Sequence, residues 1–278
     1  MRCRGTHRCS TQRTPAFEAD RRSVNVLVCI KRVPATGGRI ALTPDGREID
    51  TQFLGFTVSP HEECAVEEAL RVVKSNGGTT TVLTLGPGAA AEQLQDALAL
   101  GIDRAVLLET DGREWDPGAT AGAIVEAVRR IAAADGEYDL LLFGNEAADT
   151  GDFQVGIRVA WLLGLPCVSG VKSLDIRGGT AVAAREAPGG REIFEVTLPA
   201  VVAVKEGINL PRYPSIPGRL KAKRTPIERL TPAWHGNRLS KLRLELPEEH
   251  EKETEILGHG PEAAPEVVQV LDELGLVR

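Results

Sequence analysis

This sequence predicts an α/β fold, an open parallel sheet with helices on both faces, and three observations carry the prediction. Short apolar or β-branched runs alternate with longer stretches of helical periodicity as far as Pro166. Glycine turns follow those runs directly, at Gly86-Pro87-Gly88 and at Gly144. Beyond Pro166 three runs are split by Arg177-Gly178-Gly179 and Pro188-Gly189-Gly190, the pattern of an antiparallel meander.

In chain order, residues 1–23 are rich in Arg, Ser and Thr, lack apolar periodicity and the apolar stretch of a secretory signal, and read as a disordered extension. Met1 is the only methionine, which leaves a start near Val24 open. Val24–Ile30 reads as the first core strand, and residues 35–58 as a hairpin or extended excursion turning at Pro44-Asp45-Gly46. Ser59-Pro60 with Glu62 is a helix start: serine as N-cap, proline pre-set at the first position and a capping-box glutamate. Cys64, Ala65, Ala69, Leu70 and Val72 or Val73 give this helix its buried stripe, and Asn76-Gly77-Gly78 ends it. Thr79–Leu85 is a second strand, Ala89–Leu100 a helix, Arg104–Leu108 a third strand and Pro117–Ala134 a helix.

Asp139–Phe143 is a continuous apolar run suited to a doubly covered strand. Asn145–Gly151 then forms a small, acidic loop, and helical periodicity begins at Asp152, with Phe153, Ile157, Ala160 and Leu163 on one face. Strand, glycine loop and helix start can present free N–H groups to a phosphate; equally, they can be an ordinary βα connection. The meander runs are Val168–Ile176, Thr180–Ala187 and Glu192–Leu198, followed by a buried strand, Pro199–Val204. Residues 207–217 carry too many prolines for sheet or helix and read as a rigid loop, either a recognition element around Ile216 or a linker. The basic run Arg219–Arg224 reads as a solvated face, residues 235–262 as a polar strap unable to fold alone, and Pro265–Leu276 as a terminal amphipathic helix. The resulting division is an extension (1–23), a nucleotide-capable α/β domain (24–230), and a strap and helix (231–278) built as an arm for a partner subunit.

Composition excludes several classes. Net charge is −6 and aromatics are 4%, which argues against nucleic acid. No apolar run reaches the roughly 18–20 residues that span a bilayer. Five cysteines without paired spacing indicate neither zinc nor a disulfide framework, and the setting reads as a reducing cytosol. No phosphate-loop, dinucleotide or nucleophile-elbow motif is present, and no catalytic residue or metal site is expected. His61 reads as a surface residue, Glu67-Glu68 as a solvated helix face, and Asp149 with Asp152 as too few ligands for a metal.

Five ordered blocks carry a resemblance. VLVCIKRVPAT resembles a first strand with a Lys-Gln/Arg-Val-Pro-Asp-Thr signature, SPHEECAVEEALRV a helix start, and LGPGAAAEQLQDALALGIDRAVLL a Gly-Pro to Ala-Asp-Arg block. GNEAADTGDFQVG resembles a nucleotide loop, and LPAVVAVKEGINLPRYPSIPGRLKAKR a signature of Pro-Arg-Tyr followed by Lys-Ala-Lys. Together, from about Val24 to Ile227, they resemble the β subunit of electron transfer flavoprotein. That resemblance implies a Rossmann-like sheet of the adenine nucleotide alpha hydrolase-like kind, and a cytoplasmic electron carrier rather than an enzyme. It implies an α subunit holding most of the FAD contacts, and AMP, or a second FAD in bifurcating relatives, bound by this chain. Nucleotide contacts would fall at Cys29, at Ser59, Pro60, His61 and Glu62, and at Leu85. They would continue along Gly144, Asn145, Glu146, Ala147, Ala148, Asp149, Thr150, Gly151, Asp152, Phe153, Gln154 and Val155. Flavin-dependent dehydrogenases would dock on Pro211–Lys223, through Arg212, Tyr213, Pro214, Ile216 and Pro217, with Ile216 as anchor, and electrons would leave to a membrane quinone oxidoreductase. Ser59 replaces the usual Asn, Ala35 an Asp and Glu146 a Gln, and Thr150–Phe153 reorders the loop, so the nucleotide's identity stays open. A stand-alone adenine-nucleotide-binding regulator on the same fold is the competing class.

Overall fold

The computed structural model describes residues 23–35, 37, 40–247 and 255–277, so the expected N-terminal extension, apart from Ser23, and the middle of the polar strap lie outside it. Strand β1 is Val26–Ile30, all five residues buried. A short antiparallel pair follows, β2 (Val33–Pro34) with β3 (Phe56–Thr57), and between them the Thr43 amide donates to Glu48 C=O and the Glu48 amide to Thr43 Oγ1, closing the expected turn. Helix α1 is Pro60–Asn76, and its capping box is complete: Ser59 Oγ accepts from the Glu62 amide while the Glu62 carboxylate accepts from the Ser59 amide.

Next come β4 (Thr80–Gly86), a 3-10 turn over Gly88–Ala90, α2 (Ala91–Leu100), β5 (Arg104–Glu109) and α3 (Pro117–Asp135). Strand β6 (Leu140–Gly144) leads through a ten-residue connection to α4 (Val155–Leu163). The meander is β7 (Cys167–Arg177), β8 (Thr180–Ala187) and β9 (Gly190–Thr197), after which come β10 (Ala200–Val204), α5 (Ile216–Ala222) and β11 (Ile227–Leu230). Close to the C-terminus α6 spans Ala264–Glu273.

One nine-stranded sheet runs β11-β5-β4-β1-β6-β10-β7-β8-β9. Every neighbouring pair from β11 to β7 is parallel, and the meander continues the sheet as two antiparallel pairs. The α/β fold class is therefore as expected, with the meander extending the sheet. Alternation sends Val26, Val28, Leu140, Leu142 and Val202 to one face and Leu27, Cys29, Leu141, Phe143 and Val201 to the other. The first core is closed by α1, α2 and Ala222 of α5, the second by α3 and α4.

Several expectations change. Helix α4 starts at Val155, three residues late, because Ala147 N–H donates to Asp152 C=O and Gly151 N–H to Ala147 C=O, closing a turn through Asp152. Its buried residues are Gly156, Val159 and Ala160, whereas Phe153 and Ile157 are exposed. Small residues win that face because a Cβ on Gly156 would already stand 3.1 Å from the Phe143 ring. The proline-rich loop ends early, for Ser215 caps α5 by accepting from the Gly218 amide at 3.1 Å. Ile216 is thus the first residue of a helix. Among the described residues no helix is long and apolar enough to cross a membrane, and none group as a metal site.

Candidate functional site

Strand order reverses between β1 and β6: the chain first builds outward to β4 and β5, then returns to β1's other side. In open α/β sheets such a switch point leaves a crevice at the carboxyl ends of the strands, where connections leave in opposite directions. Cys29 and Ile30 end β1, and Phe143 and Gly144 end β6, with Cys29 beside Phe143 in register. The first turn of α1 covers this edge closely. A Cβ on Gly144 would lie 2.7 Å from Glu62 Cγ and 3.2 Å from His61 Cβ, so glycine is required by the approach of the helix.

The connection after β6 is tied down on every side. Asn145 N–H donates to Val204 C=O, and its Oδ1 accepts from the Gly170 amide at 2.7 Å. Ser59 Oγ donates to Glu146 C=O at 3.3 Å, and Lys31 pairs with Asp149 at 2.7 Å. These bonds bring Ser59, Pro60, His61, Glu62 and Gly144–Val155 to one edge. Leu85 lies one strand further out, partly buried against the α3/α4 core. Arg212, Tyr213, Pro214, Ile216 and Pro217 are not in this crevice: the backbone runs along α1, where Arg212 meets Glu67.

Electrostatics separates the two helix starts. In α1 the cap consumes the donors: Glu62 N–H and Glu63 N–H both bond Ser59. By contrast, α4 opens at Gln154 with no side-chain cap, and its first turn has no acidic residue, leaving amides for a ligand oxygen. Burial pushes the Glu62 carboxyl up to about 8, with the Lys31 and Ser59 amides opposing. Burial, with Glu62 adding, also raises the Cys29 thiol far above its usual range, so it packs as a neutral apolar group. His61 is half-buried rather than a surface residue, and that burial holds its imidazole below the usual range while Nδ1 has no partner.

Beside the loop an open cleft of about 410 Å³ is lined by Asn145, Glu146, Phe153, Ser169, Arg185 and Lys205, among others. Of these, Ser169 and Arg185 were not legible in the sequence, because the meander that supplies them carries no motif, and Lys205, just after β10, stood in a quoted block without a role. Lys31 was legible as the first residue of the Lys-Gln/Arg-Val-Pro-Asp-Thr signature, but not as the ion-pair partner of Asp149. Glu67 and Glu68 contradict the expected solvated face: each is 5% exposed, because Arg212 and Asn209 fold over them.

Residues 48–234 match the electron transfer flavoprotein domain. An electron transfer flavoprotein subunit beta of Bacillus subtilis is 37% identical over 209 residues, covering 74% of this chain and 79% of the relative. Its counterpart in Syntrophomonas wolfei is 36% identical over 228 residues, 81% and 86% of the two chains, and that of Mycobacterium tuberculosis 36% over 218, 76% and 80%. With the domain matched over most of the chain and beta subunits aligned across it, the chain belongs to the electron transfer flavoprotein family, among its beta subunits.

Proposed function

We propose that this chain is the electron-carrier partner of an α subunit that binds FAD, and that its switch-point crevice holds AMP. Residues 1–23 would be an extension, 24–230 the nucleotide-binding domain, and the segment 231–278, ending in α6, would reach the α subunit. Flavin-dependent dehydrogenases would deliver electrons at Pro211–Lys223, and a membrane quinone oxidoreductase would receive them. FAD supplies the redox chemistry when bound, while AMP supplies none and acts by filling the crevice.

The uncapped start of α4 beside Gly144 is the observation that carries the nucleotide reading. The acidic loop does not oppose it as strongly as its sequence suggests. Asp149 is neutralised by Lys31, and Glu62 carries much of its proton at neutral pH. Residues that would hold the phosphate are the amides of Gln154–Gly156 and the loop from Glu146; Cys29, Leu85 and Val155 offer apolar wall. The open cleft running on from Glu146 toward Arg185 and Lys205 supports a second reading, a dinucleotide such as a second FAD.

Co-expression with an α subunit is expected to give a yellow complex that, on denaturation, releases FAD and AMP in equal amounts by chromatography. Two FAD per heterodimer would establish the second reading. A colourless, monomeric product would remove the carrier reading in favour of a stand-alone regulator.

A further inference from the structure

The connection after β6 that would cradle a phosphate is itself acidic. It carries Glu146, Asp149 and Asp152, and the first turn of α1 adds Glu62 beside Gly144. Against them stands the Lys31 ammonium, already paired with Asp149 at 2.7 Å. His61 brings no compensating charge near neutral pH, because burial, its largest influence, holds the imidazole below its usual range. An arriving phosphate therefore meets an excess of carboxylates, and these differ in how they can respond. Glu146 and Asp152 are half-buried and Asp149 reaches solvent, so each has room to turn toward water. Glu62 has none. It is 8% exposed, and its Cγ would stand only 2.7 Å from a Cβ at Gly144. Its carboxyl is held in the capping box, where it accepts from the Ser59 amide at 3.2 Å. A group that cannot turn away from a second negative charge relieves the repulsion by taking a proton.

We propose that the crevice holds a phosphate dianion only with a proton on the Glu62 carboxyl, so that nucleotide binding is linked to proton uptake from solvent and is weakened by alkali. The inference rests on the reading of the crevice as a nucleotide site and deepens it by supplying the regulation of that site. The groups around Glu62 set the response. On β1 lies Cys29, whose thiol stays neutral through burial. After β1 the Lys31 amide and ammonium favour the carboxylate, whereas Asp149 of the connection favours the acid. On α1 the Ser59 amide favours the carboxylate, while Glu63 is exposed and interacts with Glu206 instead. Burial outweighs the amides and leaves the carboxyl of the nucleotide-free chain titrating at about 8. A dianion nearby disfavours the carboxylate further, so the value with nucleotide bound lies higher. Between the two values the bound form carries the extra proton. Affinity is therefore level below about 8 and falls through the interval above it.

The test uses the FAD-loaded heterodimer, dialysed to equilibrium against radiolabelled AMP from about pH 7 to about pH 9.5. A phosphate monoester loses its second proton at about pH 6, so the ligand is a dianion throughout. The apparent Kd is expected to hold to about pH 8 and then to rise by up to about tenfold per pH unit. Calorimetry near the top of that range, in buffers of different ionisation enthalpy, is expected to show net proton uptake on binding. Glu62→Gln is expected to bind AMP with a level Kd and no uptake. Asp149→Asn removes a charge that favours the acid and is expected to move the rise to lower pH, a readout that stands should Glu62→Gln fail to fold. AMP bound by the wild type with a level Kd and no proton uptake would overturn the inference and leave the nucleotide reading standing. The same rise in Glu62→Gln, or an unmoved rise in Asp149→Asn, would place the proton on another group and overturn it as well. No AMP retained at any pH would remove the AMP reading and the inference together.

Discussion

Glu62 shows how a single side chain serves two purposes at the crevice. Its carboxylate completes the α1 capping box, yet burial raises its pKa to about 8. Because the folded value lies above the ordinary carboxylate value, the folded state binds more protons than the unfolded one between the two. That stability is fully present below pH ~4.3, and is lost as pH rises through about 8. Glu62→Gln keeps an N3 side chain able to accept from the Ser59 amide and removes the titration. Urea midpoints measured from pH 5 to 9 are expected to fall in the wild type and stay flatter in the variant. The role of Glu62 was legible, since Ser-Pro-x-Glu is a local signal. Glu67 and Glu68, five and six residues on, were not. Their partners Arg212 and Asn209 lie more than 140 residues away, and local pattern reads paired glutamates as a wet face.

Helix boundaries follow the same grammar wherever a cap is present. Ser59 before Pro60 starts α1, and Ser215 two residues before Pro217 starts α5, although proline density made the second read as loop. Asp116 shows how far a cap can reach. It accepts from the Ala119 amide at 2.7 Å to start α3, and from the Arg238 and Leu239 amides to fasten residues of the strap. Burial alone would raise its carboxyl, but these amides outweigh it and hold it below the usual range. Its contribution is therefore present above the ordinary carboxylate pKa and lost as pH falls. Asp116→Ala is expected to cost about 1–2 kcal/mol in a melt and to open the strap near Arg238 to limited proteolysis. The strap read as polar chain because its hydrogen bonds belong to another element's cap. Beside it Trp234 meets Trp115 edge to face, a contact 119 positions apart in sequence that no local pattern reports.

At the scale of the molecule, most of the sheet could be read because parallel strands buried on both faces are written as unbroken apolar runs, as in Leu140–Phe143. Strand β11 was missed because Ile227-Glu228-Arg229-Leu230 is short and half polar; it forms as an edge beside β5, where Arg104 bonds Glu228 and Arg229 pairs with Glu109. The crevice itself was legible as a βα connection, but not the wall supplied by the meander. Helix α6 buries no residue, and Val267, Val268, Val270 and Leu274 face solvent. A chain ending at Pro247 is accordingly expected to melt like the full chain, with wild-type far-UV signal per folded residue, while co-purifying with less α subunit. Equal recovery of the α subunit would remove the arm from the assembly.

Strand β10 lies between β6 and β7, although three meander strands precede it in the chain. On the ribosome, therefore, the sheet cannot be joined in the order in which it is made. Until Ala200–Val204 has emerged, β6 offers an unpaired apolar edge, and the meander has no parallel neighbour to dock on. The Asn145 amide, which bonds Val204, waits on the same event. The switch-point crevice and the centre of the sheet are thus completed together and late in translation, which makes the nascent chain's exposure to aggregation and to chaperones greatest just before its last central strand appears.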